Sequence, residues 1–184
     1  MSSHSLASVR RERFAETPDA HQRRVLDLLL AQDGSTTRLC EAVAGGPVEL
    51  HLVHQQVTND VPDIVRQQLP GATFIERITF LCAHGEVLMD NLAFIAMAGL
   101  EPDIEADLLA GKLPIGHLLA RLWVRREPIA DTAGLAQRLW GAVGLPDPAA
   151  TRAYRIVTRD AARMVIAETF RRGMLMDRHG AKAE

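Results

Sequence analysis

The sequence predicts an α+β fold built on an antiparallel sheet. Strand-like segments come in pairs joined by short turns, at 73–82 with 87–97 and again at 153–157 with 164–170, which sets neighbouring strands in opposite directions. Helical spacing fills the intervening stretches, so the helices have one sheet on which to pack. The chain has 184 residues, 47% of them apolar and 24% charged, and no repeat or low-complexity tract interrupts it. The expected organisation is a single domain over residues 25–174, with a poorly ordered arm at 1–24 and a tail at 175–184.

Leu26, Leu29 and Leu30, with Val25 beside them, mark one helix face that ends at Asp33-Gly34. Ser35, Thr36 or Thr37 then caps a second helix carrying Leu39, Ala42 and Val43, which Gly45-Gly46-Pro47 stops. Residues 48–57 alternate as a strand with one wetter face, and 61–69 read as a short helix closed by Pro70-Gly71. A hairpin follows, turning at Ala83-His84-Gly85-Glu86. Helical spacing returns at 101–110, ending at Gly111, and at 115–123, opening after Pro114. A strand at 125–129 and a helix at 133–143 around Leu135, Leu139 and Trp140 precede a last hairpin that turns at Thr158-Arg159-Asp160.

Composition narrows the function. A formal charge of -2 exerts no long-range pull on nucleic acid or anionic lipid. No apolar run approaches the ~20 residues that cross a bilayer, and residues 1–13 lack the hydrophobic stretch of a secretory signal, so a cytoplasmic protein is expected. Cys40 and Cys82 form no CxxC pair, and the seven histidines contain no HExxH; His51 and His54 are three apart, on opposite faces of a regular strand. No metal site is expected. Ser35, the only serine after residue 8, lies outside any GxSxG elbow, and Ala44-Gly45-Gly46-Pro47 has neither the spacing nor the lysine of a phosphate loop.

Charges inside the strands are the remaining chemical signal. Glu76 and Arg77 are adjacent, so they face opposite sides of the sheet, and alternation with Phe74, Ile78 and Phe80 favours Glu76 for the core. Glu168 shares a face with Met164, Ile166 and Phe170. A buried carboxyl is paired, hydrogen-bonded or protonated. One reading is a structural ion pair; the other is an enclosed site that grips an anion with arginine and supplies a proton from Glu168.

At these positions the sequence resembles the chorismate pyruvate-lyase family, over about residues 26–174. Leu28 to Arg38 resembles the family's opening helix and its Asp-Gly-x-x-Thr-Arg turn. Phe74 to Leu81 is similar to the strand that presents a substrate-binding arginine, with Gly85-Glu86 as the following turn. Gly111-Lys112-Leu113-Pro114-Ile115-Gly116 matches a Pro-Leu-Gly helix start, and Tyr154-Arg155-Ile156 with Ile166 to Phe170 looks like the last hairpin, whose glutamate is catalytic. The order of these motifs, more than any one of them, is specific.

The resemblance implies a single six-stranded antiparallel sheet with surrounding helices, and a small pocket closed from water. It also implies cofactor-free conversion of chorismate, or a related cyclic carboxylate, to 4-hydroxybenzoate and pyruvate. In that frame Arg77 holds a carboxylate by a bidentate contact, overruling alternation. Glu168 protonates or polarises the departing enolpyruvyl ether. Ile115, Gly116, Ser35 and Asn91 are the further substrate-binding candidates. The strand after the turn reads Met89-Asp90-Asn91 where classical lyases have a Gly-Arg step; it sets Asp90 near the ligand and leaves Arg38, Arg126 or Arg155 to supply a second cation. The implied partner is a small-molecule carboxylate, with no nucleic acid or membrane, on a monomer or small homo-oligomer. Two alternatives stand beside this reading: a lyase fold reused for another cyclisation or dehydration, and a carboxylate-binding module without turnover, as in ligand-sensing domains of bacterial regulators that share the fold.

Overall fold

The computed structural model describes residues 9–111, 115, 124–159 and 161–176. Helix α1 (Ala20–Ala31) begins at a capping box: the Asp19 carboxylate accepts from the backbone N–H of Gln22, and the Gln22 side chain accepts from that of Asp19. Ser35 caps α2 (Thr36–Ala44), which ends at left-handed Gly45. Strand β1 (Glu49–Thr58) and the short α3 (Asp63–Gln68) lead into the hairpin of β2 (Phe74–Ala83) and β3 (Glu86–Ala96). The turn residues His84 and Gly85 both take positive φ, at 52° and 77°, as a twist-matched two-residue turn requires. Then come α4 (Pro102–Ala110), β4 (Arg125–Pro128), α5 (Ala133–Val143), β5 (Thr151–Val157) and β6 (Ala162–Phe170). Of the expected helix at 115–123 all but residue 115 lies outside the described residues, Gly116 included.

All six strands form one antiparallel sheet in the order β1-β2-β3-β6-β5-β4. Both of its faces are covered, which is why β2, β3 and β6 are buried along nearly their whole length. On one face α3 and α5 bring Val65, Leu135 and Leu139 against Phe74, Ile78, Leu92 and Phe94. On the other, α1 and α2 pack over Leu81, Met89 and Phe170, and α4 sets Ile104 and Leu108 over Ile75, Ile95 and Ile156. Among the described residues no helix is long and apolar enough to cross a membrane.

Three sequence expectations are corrected by this packing. The register of β1 against β2 shifts between Leu52 and His54, so Val53 is the extra residue of a bulge. His51 then pairs with Phe80 and His54 with Ile78, placing both histidines on the same face. Asp90 alternates with Met89 and Asn91 and so faces away from their side of the sheet. There it accepts hydrogen bonds from Arg171 Nε at 2.6 Å and Arg11 Nε at 3.1 Å, held between two cations rather than beside a ligand. Part of the expected arm is also built into the domain. Arg10 and Arg13 bridge to Glu86 and Arg171, Phe14 is 1% exposed within the core, and its N–H donates to Asp147 Oδ2 at 2.8 Å. The apolar spacing of residues 9–18 is too short to signal this, because a single buried ring is the anchor.

Candidate functional site

A cleft lies on the face that carries α2, between the N-terminus of that helix and the middle of the sheet. Thr36 and Thr37 form one wall, Thr79, Asn91, Ile166 and Glu168 the floor, and Ile115 and Arg126 the far side. It holds about 410 Å³ of space between atoms, part of it open to solvent, of which about 30 Å³ is wide enough for the centre of a water molecule. That is room for a water or two.

Glu168 is the centre of the arrangement. Strand β6 delivers it from its inward-facing side, 2% exposed, directly opposite Asn91 of β3 on one side and Arg152 of β5 on the other. Arg152 Nη2 lies 2.9 Å from Glu168 Oε2 and Nε donates to the same oxygen at 3.0 Å. The Thr36 hydroxyl donates to Oε2 at 3.2 Å, and the Tyr154 hydroxyl donates to Oε1 at 2.7 Å. Thr36 Oγ1 also accepts from Arg152 Nη2 and Gln32 Nε2, which orients its hydrogen toward Glu168. Among the described residues every hydrogen bond to Glu168 is thus donated by its partner. Burial, with the Glu168 charge adding to it, pushes the Tyr154 phenol well above the usual tyrosine range, so its proton stays on oxygen.

Arg152 does a second job that follows from helix chemistry. The last carbonyls of α1 have no partner within the helix, and Arg152 Nη1 donates to those of Leu29 and Leu30 as well as to that of Gln32. The residue that neutralises Glu168 therefore also locks the α1–α2 corner, from which Thr36 reaches into the cleft.

With Glu168 and Arg152 matched, the charge left on the cleft lining is that of Arg126. Its guanidinium carbon stands 5.7 Å from the centre of the Tyr154 ring, Nη1 donates to the Asp33 carbonyl at 2.8 Å, and buried Nε has no hydrogen-bond partner among the described residues. The amide of Asn91, 6% exposed on the floor, has none for its Oδ1 either. The cleft offers a cation, a neutral amide and a paired carboxyl, a set suited to a small anion bearing a further polar group.

Of the residues expected from sequence, Glu168, Asn91 and Ile115 line the cleft. Arg77 shares their sheet face, paired with Ala93 next to the Thr79–Asn91 pair, but lies behind the lining, fully buried, with Nη2 donating to the Gly111 carbonyl at 3.0 Å. Burial lowers its proton affinity below the usual arginine range. Gly111 ends α4 with φ +67°, and that left-handed cap turns its carbonyl toward Arg77. Ser35 caps α2, accepting from the Arg38 N–H at 3.4 Å, and does not line the cleft. Of the arginines weighed as second cation, Arg126 lines the cleft, while Arg155 pairs with Glu127 at 2.7 Å on the opposite face. Glu76 is on that opposite face too, paired with Arg138 at 2.5 Å and with Gln56 at 2.8 Å; it is the structural ion pair.

Sequence reasoning missed Arg152 and Thr36. Arg152 comes opposite Glu168 only after a register shift between Ile156 and Val157, so the turn alone does not reveal the pair. Nor does the sequence reveal Thr36, since its approach depends on how α2 docks. The possible metal ligands that gather among the described residues, Glu49, His51 and Cys82, sit across the sheet from the cleft.

A family model described as chorismate pyruvate-lyase, Rv2949c-like, matches residues 30–177. No curated protein matches the chain. Solved structures with a similar fold include the ligand-binding domain of a protein described as a GntR-family transcriptional regulator from Bordetella bronchiseptica, at 15% identity, covering 68% of this chain and 83% of that one with a TM-score of 0.41. Another is a GntR-family transcriptional regulator from Bacillus cereus, at 14% identity, covering 67% and 90% with a TM-score of 0.41.

Proposed function

Because the chain belongs to the Rv2949c-like chorismate pyruvate-lyase family, we propose that it eliminates pyruvate from chorismate, or from a closely related cyclic carboxylate, to give 4-hydroxybenzoate. One observation carries this reading: a buried glutamate on the cleft floor, held by Arg152, Thr36 and Tyr154, with Arg126, a cation that no described carboxylate pairs, on the same lining.

The reaction balances within the substrate. The bond from the ring to the enolpyruvyl oxygen breaks, the ring carbon that bears the neighbouring hydroxyl loses its hydrogen, and the ring becomes aromatic. Every atom of chorismate ends in one of the two products, so no oxidant, reductant or water is called for. Glu168, to which the Tyr154 hydroxyl donates across 2.7 Å, takes the proton that the ring loses and passes it to the departing enolpyruvyl oxygen. The released enol of pyruvate then becomes the keto acid. Arg126 anchors a carboxylate on the far side of the cleft, and Arg77, next along the same face behind the lining, adds positive charge for the other. Since aromatisation drives the step, the protein's contribution is orientation and electrostatics in a site with little water.

The test is purified protein with chorismate, followed by 4-hydroxybenzoate absorbance and enzymatic pyruvate detection. Wild type releases the two products in equal amounts, and Glu168→Gln slows release by about a hundredfold or more. If neither product forms while 4-hydroxybenzoate still raises the melting temperature, the protein is a binding module and the lyase reading is overturned.

A further inference from the structure

The floor of the cleft carries an amide oxygen that no described residue satisfies. Asn91 is 94% buried (6% exposed), it lines the cleft, and its Oδ1 has no hydrogen-bond partner among the described residues. A buried polar atom left without a partner costs about 1–3 kcal/mol, and among the described residues this oxygen ties nothing together. Its place is informative as well. Asn91 stands directly opposite Glu168 in the β3–β6 pair, and side chains opposite one another on a sheet face are about 5 Å apart at Cβ. Whatever group meets the amide is therefore the immediate neighbour of whatever group meets Glu168.

We infer that Asn91 is the specificity-determining residue of this cleft, its Oδ1 accepting the hydroxyl that the ring bears next to the bond broken at Glu168. The inference rests on the lyase reading above and adds to it the chemical class selected: cyclic acids with a hydroxyl beside the reacting ether, in preference to acids of the same shape without one. Charge alone makes no such choice, since Arg126 attracts any small carboxylate. A neutral acceptor fits the position, because a second anion beside Glu168 would compete for Arg152, and an apolar side chain would accept the unhydroxylated ring equally well. Once the hydroxyl is bound, the orphaned acceptor is satisfied; when an unhydroxylated ring takes its place, the amide stays buried and unpartnered.

The probes are 4-hydroxybenzoate and benzoate, which share ring and carboxylate and differ in the one hydroxyl, with binding measured by calorimetry on the full chain. Wild type binds 4-hydroxybenzoate at least tenfold more tightly than benzoate. Asn91→Leu, which keeps the volume, brings the ratio to about one by losing affinity for 4-hydroxybenzoate only. Asn91→Ala, which opens space instead, does the same and covers the case in which leucine disturbs packing. A wild-type ratio near one, or a preference that survives in both variants, overturns the assignment. If that happens while wild type still converts chorismate, the lyase reading stands and the role of Asn91 alone falls. If wild type neither converts chorismate nor binds either acid, both fall together.

Discussion

The hydroxyl of Tyr154 donates to Glu168 Oε1 across 2.7 Å, between two buried residues at diagonal positions of the β5–β6 hairpin. Tyr154→Phe keeps the ring packing and removes that proton. Turnover of chorismate is expected to fall by about ten- to a hundredfold, with a loss of stability of about 1 kcal/mol. Steady-state kinetics together with urea unfolding separates the two effects, and unchanged turnover would mean that Glu168 acts without help from Tyr154.

Arg152 is bound to Glu168 and to the carbonyl end of α1. Replacing it with Met leaves a buried carboxyl without its cation and a helix end without its donor, a loss of about 3–5 kcal/mol. In a double-mutant cycle, Glu168→Gln is expected to recover a measurable part of this loss, because it removes the stranded charge. Chemical denaturation of the four proteins checks the coupling.

Asp90 faces away from the cleft, paired at 2.6 Å with fully buried Arg171. Asp90→Asn is therefore expected to cost about 3–5 kcal/mol in unfolding free energy while affinity for 4-hydroxybenzoate stays within about twofold of wild type. Phe14→Ala, which empties the anchor of the N-terminal segment, costs a similar 3–5 kcal/mol. A large affinity change in Asp90→Asn would mean that the two faces of the sheet are coupled.

Stability is expected to fall at acid pH in part through Glu76. Burial opposes its charge, but hydrogen bonds from Arg138 and Gln56 outweigh that and hold the carboxyl below the ordinary value of 4.5. As pH drops past 4.5 the unfolded carboxyl takes up a proton while the folded one stays charged, so the contribution is whole above 4.5 and is lost as pH falls through the folded value. Melting temperatures of wild type and Glu76→Gln are expected to converge between about pH 5 and pH 3; parallel curves would exclude the residue.

Much of this was legible in the chain. Paired strand segments with short turns give the antiparallel sheet, and each helix from Ala20 to Ala110 announces its end with a glycine or proline nearby. The face of Glu168 follows from its alternation with Met164, Ile166 and Phe170. Arg77 is the instructive exception: alternation favoured Glu76 for the core, yet both are buried. The sheet is covered on two sides, and a pattern of period two cannot say which covered side holds the cleft.

The sequence by itself determined the elements, their order and the family, because turn residues and side-chain periodicity are local and act wherever the chain goes. Only the tertiary structure decided that Thr36 and Arg152 converge on Glu168, that Asp90 turns to Arg171 instead of the cleft, and that one bulge at Val53 brings His51 and His54 to the same side. Those outcomes depend on strand register and helix docking. Register couples residues distant along the chain, and a shift of one position exchanges the two faces of a sheet.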